Sequence, residues 1–306
     1  MDAVTRRAMS PYFLRQLEYY GVDPAALAGP VHAGLVLSGD PAQSDLAPQS
    51  VGPRQAAVFA LSALTLGPGQ RLLVSGRAGQ RVVLVLASLS MADDARLVLT
   101  ANTDLVVDQW CPGAAPGGTR VVLLTAPDGQ AGPAGSRGAT GVNGIDSHTP
   151  GGPGTFGGAG GHGSRGLDSP DALITIARLG GDTLFEVSAG KGGDGGAGGK
   201  GGQGGQGGID PATRKMAAGG AGAAGGPGGH GGSGGNGGRL RVWIEAIDPG
   251  ASFTTRADQI PGGTAGAGGA PGIPGMGHPD GAFGQPGLPG NPGSAGAPGV
   301  VEVKLV

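Results

Sequence analysis

From His32 to about Ala126 the chain alternates short apolar runs with Gly, Pro and Asp: ALTLG, RLLVSG, RVVLVLASLSM, ARLVLTA, DLVVDQW and RVVLLTA. Period-two alternation broken by turn residues roughly every 8 to 12 positions predicts short strands, in an all-β sandwich or a short β-solenoid, and periodicity does not choose between them. Ahead of this region the period changes. Ser10 followed by Pro11 is suited to an N-cap and first helical position, Gly21 to a stop, and Phe13, Leu17 and Tyr20 recur at helical spacing. A short N-terminal helix is therefore expected. Strand-like runs return later as LITIARL with TLFEVSA, RLRVWIEAI with SFTTR, and a closing VVEVKLV, and the paired runs predict β-hairpins.

Between those later runs the spacing becomes three. Glycine occupies one column at 129–144, 151–166, 263–275 and 284–299, and two nearly complete columns at 191–208 and 219–238. KGGDGGAGGKGGQGGQGG is the purest example. Three residues per turn is the repeat of the extended polyproline II helix, which has no internal hydrogen bonds, so its main-chain groups must pair with neighbours. Taken in order, the six runs predict six antiparallel rods in two layers, linked by β-hairpins, with the third and fourth central. Their structural glycines would include Gly195, Gly198, Gly201 and Gly204 on one rod and Gly225, Gly228 and Gly231 on the other. The domains expected are an aromatic helical docking segment at 1–30, a β domain at 31–126, and a glycine-rich bundle with interleaved strands at 127–306.

Composition sharpens this picture. With 71 glycines and 25 prolines in 306 residues, and only 6 Phe, 3 Tyr and 2 Trp, a conventional core is available to part of the chain alone. Such a composition is also met in collagen and in disordered chains. GQAGPAGSRGATGVNG makes good collagen triplets, but a triple helix needs three parallel chains and long uninterrupted runs. The formal net charge of −2 and interspersed charges give no sign of nucleic-acid affinity. One cysteine, Cys111, forms no intrachain disulfide, and neither a signal peptide nor a membrane-inserted segment is expected.

Enzyme signatures fail. GxGxxG recurs automatically in a third-residue repeat and never opens a helix after a strand, and His32, His148, His162, His230 and His278 lack metal-ligand spacing. No catalytic, cofactor or metal residue is assigned. Three surfaces are candidates for contact. The first is the helix, with Tyr12, Phe13, Leu17, Tyr19 and Tyr20, which packs on its own chain or docks on a neighbour. The second is the set of polar tips between runs, carrying Ile145, Asp146 and His148, then Asp210, Arg214 and Lys215, then His278, Asp280 and Phe283. The third is a flat strip of Thr264, Ala267, Ala270, Ile273 and Met276, packed on the sixth run or open to a subunit or ice.

The six runs resemble the polyglycine-II bundles of snow-flea antifreeze proteins and of phage long-tail-fibre adhesin tips. The resemblance covers residues 129–299 and rests on GGX periodicity arranged as hairpins; the disulfides of the antifreeze type are missing. It implies tip loops that touch a receptor, here 145–149, 209–217 and 278–283. The function expected is a non-enzymatic structural or adhesive subunit of an extracellular fibre, filament or virion appendage. It would self-associate into a homo-oligomer or dock on a fibre partner, and touch a surface receptor or polysaccharide. The alternative is a soluble module binding ice or polysaccharide through a flat face or the tips.

Overall fold

The computed structural model describes residues 9–27, 29–32, 36–38, 40–48, 50–52, 56–77, 79–112 and 119–306. The start of the chain, where a signal peptide would stand, and the GAAPGG stretch at 113–118 lie outside the described residues. The first element of the described residues is the α-helix α1 (Pro11–Tyr19): the Ser10 hydroxyl accepts from the Phe13 N–H, Pro11 takes the first helical position, and Gly21 follows at φ +67°.

The strands are, in chain order, β1 (Val31–His32), β2 (Val36–Ser38), β3 (Ser50–Gly52), β4 (Ala56–Leu61), β5 (Leu64–Leu66), β6 (Arg71–Ser75), β7 (Arg81–Met91), β8 (Arg96–Leu99), β9 (Asn102–Pro112), β10 (Arg120–Leu124), β11 (Ala172–Leu179), β12 (Thr183–Val187), β13 (Arg239–Ile247), β14 (Phe253–Ala257) and β15 (Val300–Leu305). They form a nine-stranded sheet, ordered β1-β5-β7-β9-β11-β13-β15 with β3 and β4 off this path, and a six-stranded sheet ordered β14-β12-β10-β8-β6-β2. Every pair is parallel except β3 with β4.

From β5 onward the chain passes alternately from the larger sheet to the smaller, so each pair of strands makes one coil. The inward side chains of both sheets meet in one core that includes Phe59, Leu84, Leu105, Trp110, Ile174, Phe185 and Val242. α1 lays Phe13 and Leu17 on the opposite face of the larger sheet, over Val58, Val83, Val85 and Val106. Covering both faces explains why β7 reads as a nearly unbroken apolar run. At β13, beyond the helix, the outer positions Arg241, Trp243 and Glu245 turn polar or aromatic.

These findings correct the expected fold. Among the described residues the regular structure is two sheets of mostly parallel strands with one short α-helix, not a β domain followed by antiparallel polyglycine-II rods linked by hairpins. β11 does not pair with β12: Leu173 lies beside Asp104 and Arg241, whereas Leu184 lies beside Val121 and Thr254. The Gly180-Gly181-Asp182 turn reverses the chain, with Gly181 at φ +75°, but hands it to the opposite sheet. A turn signal specifies a local change of direction; it does not specify which strand is the partner.

The glycine-rich stretches are three long connections, 125–171, 188–238 and 258–299, each leaving the smaller sheet and returning to the larger. Because they leave from equivalent points of successive coils, they stack. Outgoing legs run parallel to one another, with Gly129 N–H to Lys191 C=O at 2.7 Å, Gly132 to Asp194 at 2.8 Å and Gly135 to Ala197 at 2.8 Å. Outgoing and returning legs run antiparallel, as in Gly220 to Gly205 at 2.8 Å and Ala223 to Gly202 at 2.9 Å. Glycine is required there by close approach. A Cβ placed on Gly195, Gly198, Gly201, Gly204, Gly225, Gly228 or Gly231 collides with a carbonyl oxygen of the adjoining leg.

The last connection differs. Gly201 and Gly204 donate to the next leg, but the registered positions on the final outgoing leg are Pro271 and Pro274; opposite Gly225, Gly228, Gly231 and Gly237 stand Pro286, Pro289, Pro292 and Pro298. Proline has no N–H to donate onward.

Candidate functional site at the turns of the glycine-rich connections

The three connections turn at 145–150, 209–216 and 276–283, and stacking brings the turns together. Each is held by an aspartate. Asp146 accepts from the His148 N–H at 3.0 Å and the Thr149 hydroxyl at 2.6 Å. Asp210 accepts from the Ala212 N–H at 2.9 Å and the Thr213 hydroxyl at 2.6 Å. Asp280 accepts from the Gly277 N–H at 2.9 Å. Hydrogen bonds to the charged form favour it, so the Thr149 and Thr213 hydroxyls, then the backbone N–H groups, hold Asp146 and Asp210 below the usual carboxylate range.

The middle turn is tied to both neighbours. Gly208 donates to the Thr149 carbonyl at 3.0 Å and His278 to the Ala217 carbonyl at 2.9 Å. Between them opens a depression of about 600 Å³ lined by Ser147, His148, Arg214, Lys215, Met216, Gly277 and His278. Arg214 has φ +55°, a left-handed conformation uncommon for a residue with a long side chain, and its N–H donates to the Asp210 carbonyl at 2.8 Å.

Of the tip residues, the structure therefore gathers His148, Arg214, Lys215 and His278 into one place. Asp146, Asp210 and Asp280 shape the turns instead, while Ile145 and Phe283 stand in solvent outside the depression, 88% and 70% exposed. Ser147 and Met216, inside the expected tip ranges 145–149 and 209–217, also line it, as does Gly277 just ahead of the third, 278–283. Among the described residues no group of three His, Cys, Asp or Glu is placed to hold a metal ion.

The other candidate surfaces fall elsewhere. Phe13, Leu17 and Tyr20 turn onto the chain's own sheet, the Tyr20 hydroxyl donating to Asp104 at 3.1 Å, whereas Tyr19 is 65% exposed. Burial first, then the Asp104 charge, pushes the Tyr20 phenol well above its ordinary range. Thr264, Ala267, Ala270, Ile273 and Met276 all lie in solvent, and their carbonyls accept from the middle connection, beginning with Gly195 to Thr264 at 2.9 Å. On the returning legs the His162 and His230 rings stack with centroids 4.8 Å apart. Their Nδ1 atoms accept from the N–H groups of His230 and Asn291 at 2.9 and 2.8 Å, an arrangement that serves the stack.

No protein family model matches the chain, and no curated protein matches it. Among solved structures, a springtail antifreeze protein from Granisotoma rainieri, described as a nine polyproline type II helical bundle, is 29% identical, covering 60% of this chain and 96% of its own, with a TM-score of 0.08. The resemblance of residues 129–299 to the antifreeze and phage-adhesin bundles is corrected by the topology: the regular structure of the described residues is two sheets of mostly parallel strands.

Among the described residues no helix is long and apolar enough to cross a membrane.

Proposed function

We propose that the chain is a non-enzymatic structural and adhesive protein of an extracellular fibre, filament or virion surface. A parallel β body would carry a stiff stack of glycine-rich connections that holds its turns away from the body. The observation that supports this most is the convergence of three turns, from connections bonded at every third residue, into one depression. Such a stack is a spacer whose geometry is set by main-chain bonds, with the contacting residues at its end. Partner contacts would be a receptor or polysaccharide at the turns, and a fibre partner or second copy at β15, whose outer edge pairs with no strand among the described residues. Binding of the purified protein to immobilised polysaccharides, together with electron microscopy, tests this. Adhesion that survives deletion of residues 145–149, 209–216 and 278–283 would overturn the assignment to the turns.

A second reading uses the exposed strip from Thr264 to Met276 as a flat face for ice or polysaccharide. An ice-recrystallisation assay without effect removes its ice version.

A further inference from the structure

Among the described residues Arg214 and Lys215 are cations without an anionic partner. Neither enters any of the ion pairs formed there, which engage Arg77, Arg81, Arg120, Arg165, Arg178, Arg239 and Arg256. Three carboxylates stand in the same turns, and each is already used within its own loop, Asp146 on His148 and Thr149, Asp210 on Ala212 and Thr213, and Asp280 on Gly277. The guanidinium and ammonium are thus left as donors beside His148 and His278, at the wall of the depression. Arg214 also holds a backbone conformation that glycine adopts without cost. A large cationic side chain at a position that disfavours it points from strain to use.

We infer that this depression binds the anionic group of an acidic sugar, a carboxylate or sulfate ester, with Arg214 and Lys215 as the charge-assisted donors. This rests on the adhesive reading above and names the chemistry of its ligand. The depression, about 600 Å³, is in the size range of small-molecule sites, larger than a lone oxyanion needs. Met216 gives an apolar wall for a sugar's C–H face. The Asp146, Asp210 and Asp280 carboxylates of the same turns repel a backbone of repeated phosphates, which disfavours nucleic acid.

The test compares glucuronate, glucose 6-sulfate and uncharged glucose by NMR titration of the intact chain, for the native sequence, Arg214→Gly and Lys215→Ala. Arg214→Gly removes the guanidinium while relieving the backbone, so its melting temperature is expected to stay level or rise and loss of folding does not confound the result. One or both acids are expected to shift the 214–216 and 278 amide signals, with glucose inert, and each substitution to weaken binding about tenfold. Which acid binds distinguishes carboxylate from sulfate. Equal response to glucose, no response to either acid, or unchanged affinity in both variants overturns the inference. If neither acid binds while the native chain still adheres to immobilised neutral polysaccharide, the inference fails and the adhesive reading stands; if the native chain adheres to nothing, both fail.

Discussion

At Gly198 a side chain would begin on top of the Gly226 carbonyl oxygen, and at Gly201 on that of Ala223. The obstacle is main chain on a stacked leg, which cannot swing aside as a side chain can. Gly198→Ala with Gly201→Ala is expected to cost on the order of 3 kcal/mol or more, beyond ordinary overpacking. Lys200→Ala, on the exposed column between them, should be within about 0.5 kcal/mol of the native chain. Chemical denaturation of both variants decides; equal tolerance would mean that the legs are not packed as described. Arg120 is the corresponding residue of the β body. Buried, its Nε donates to the Met91 carbonyl at 2.7 Å and its Nη1 to the Asp182 carbonyl at 3.2 Å, with Nη2 3.4 Å from Asp93. It joins corners of successive coils. Arg120→Ala should lose about 3 kcal/mol or more in the same measurement, because the two carbonyls and the Asp93 carboxylate lose their donor. Nothing in RVVLL marks that arginine as different from the others in the sequence: its burial follows from which corners stack over it.

Helix α1 shows what is legible at the scale of an element. Ser10, Pro11 and Gly21 mark its ends because caps act within a few residues, and Phe13 and Leu17 mark its apolar side. Strand alternation is legible for the same reason. Partners are not: the β9–β11 pairing sets Thr103 beside Ala172 across an entire glycine-rich connection, and no local period records that. The helix buries an otherwise exposed apolar face, so deleting residues 1–21 should bare Val58, Val83, Val85 and Val106. Increased binding of a hydrophobic dye and a lower melting temperature are expected, in addition to any change in assembly; a monodisperse, equally stable truncation would contradict the packing. The turns make a different prediction. Asp146 and Asp210 have lowered pKa values in the folded chain, so their contribution is complete above the ordinary aspartate value of about 4 and is lost as the pH falls through their lowered values. NMR signals of the His148 and Ala212 amides should move in that acidic window while those of β9 stay, and Asp146→Asn with Asp210→Asn should abolish the transition. The positions of the tips are readable in advance; that His148, Arg214, Lys215 and His278 line one depression depends on the stacking of the connections.

For the whole molecule the two ends of the stack are not alike. The final connection presents Pro271, Pro274, Pro286, Pro289, Pro292 and Pro298 where inner legs present donating glycines, so another layer would find about half of the N–H groups missing. Changing these six prolines to glycine should convert that face into a self-associating one, seen as a larger species by sedimentation; an unchanged monomer or native assembly would show that the prolines do not limit growth. The registry of the connections carries a further consequence. Asp128 meets the Lys191 N–H and Asp194 the Thr264 N–H, while His162 meets that of His230 and His230 that of Asn291. A lone insertion in one leg would shift every bond beyond it, and a connection lengthened alone would overhang its neighbours. Reach can therefore change without loss of registry only in steps of three residues, taken on both legs of all three connections together.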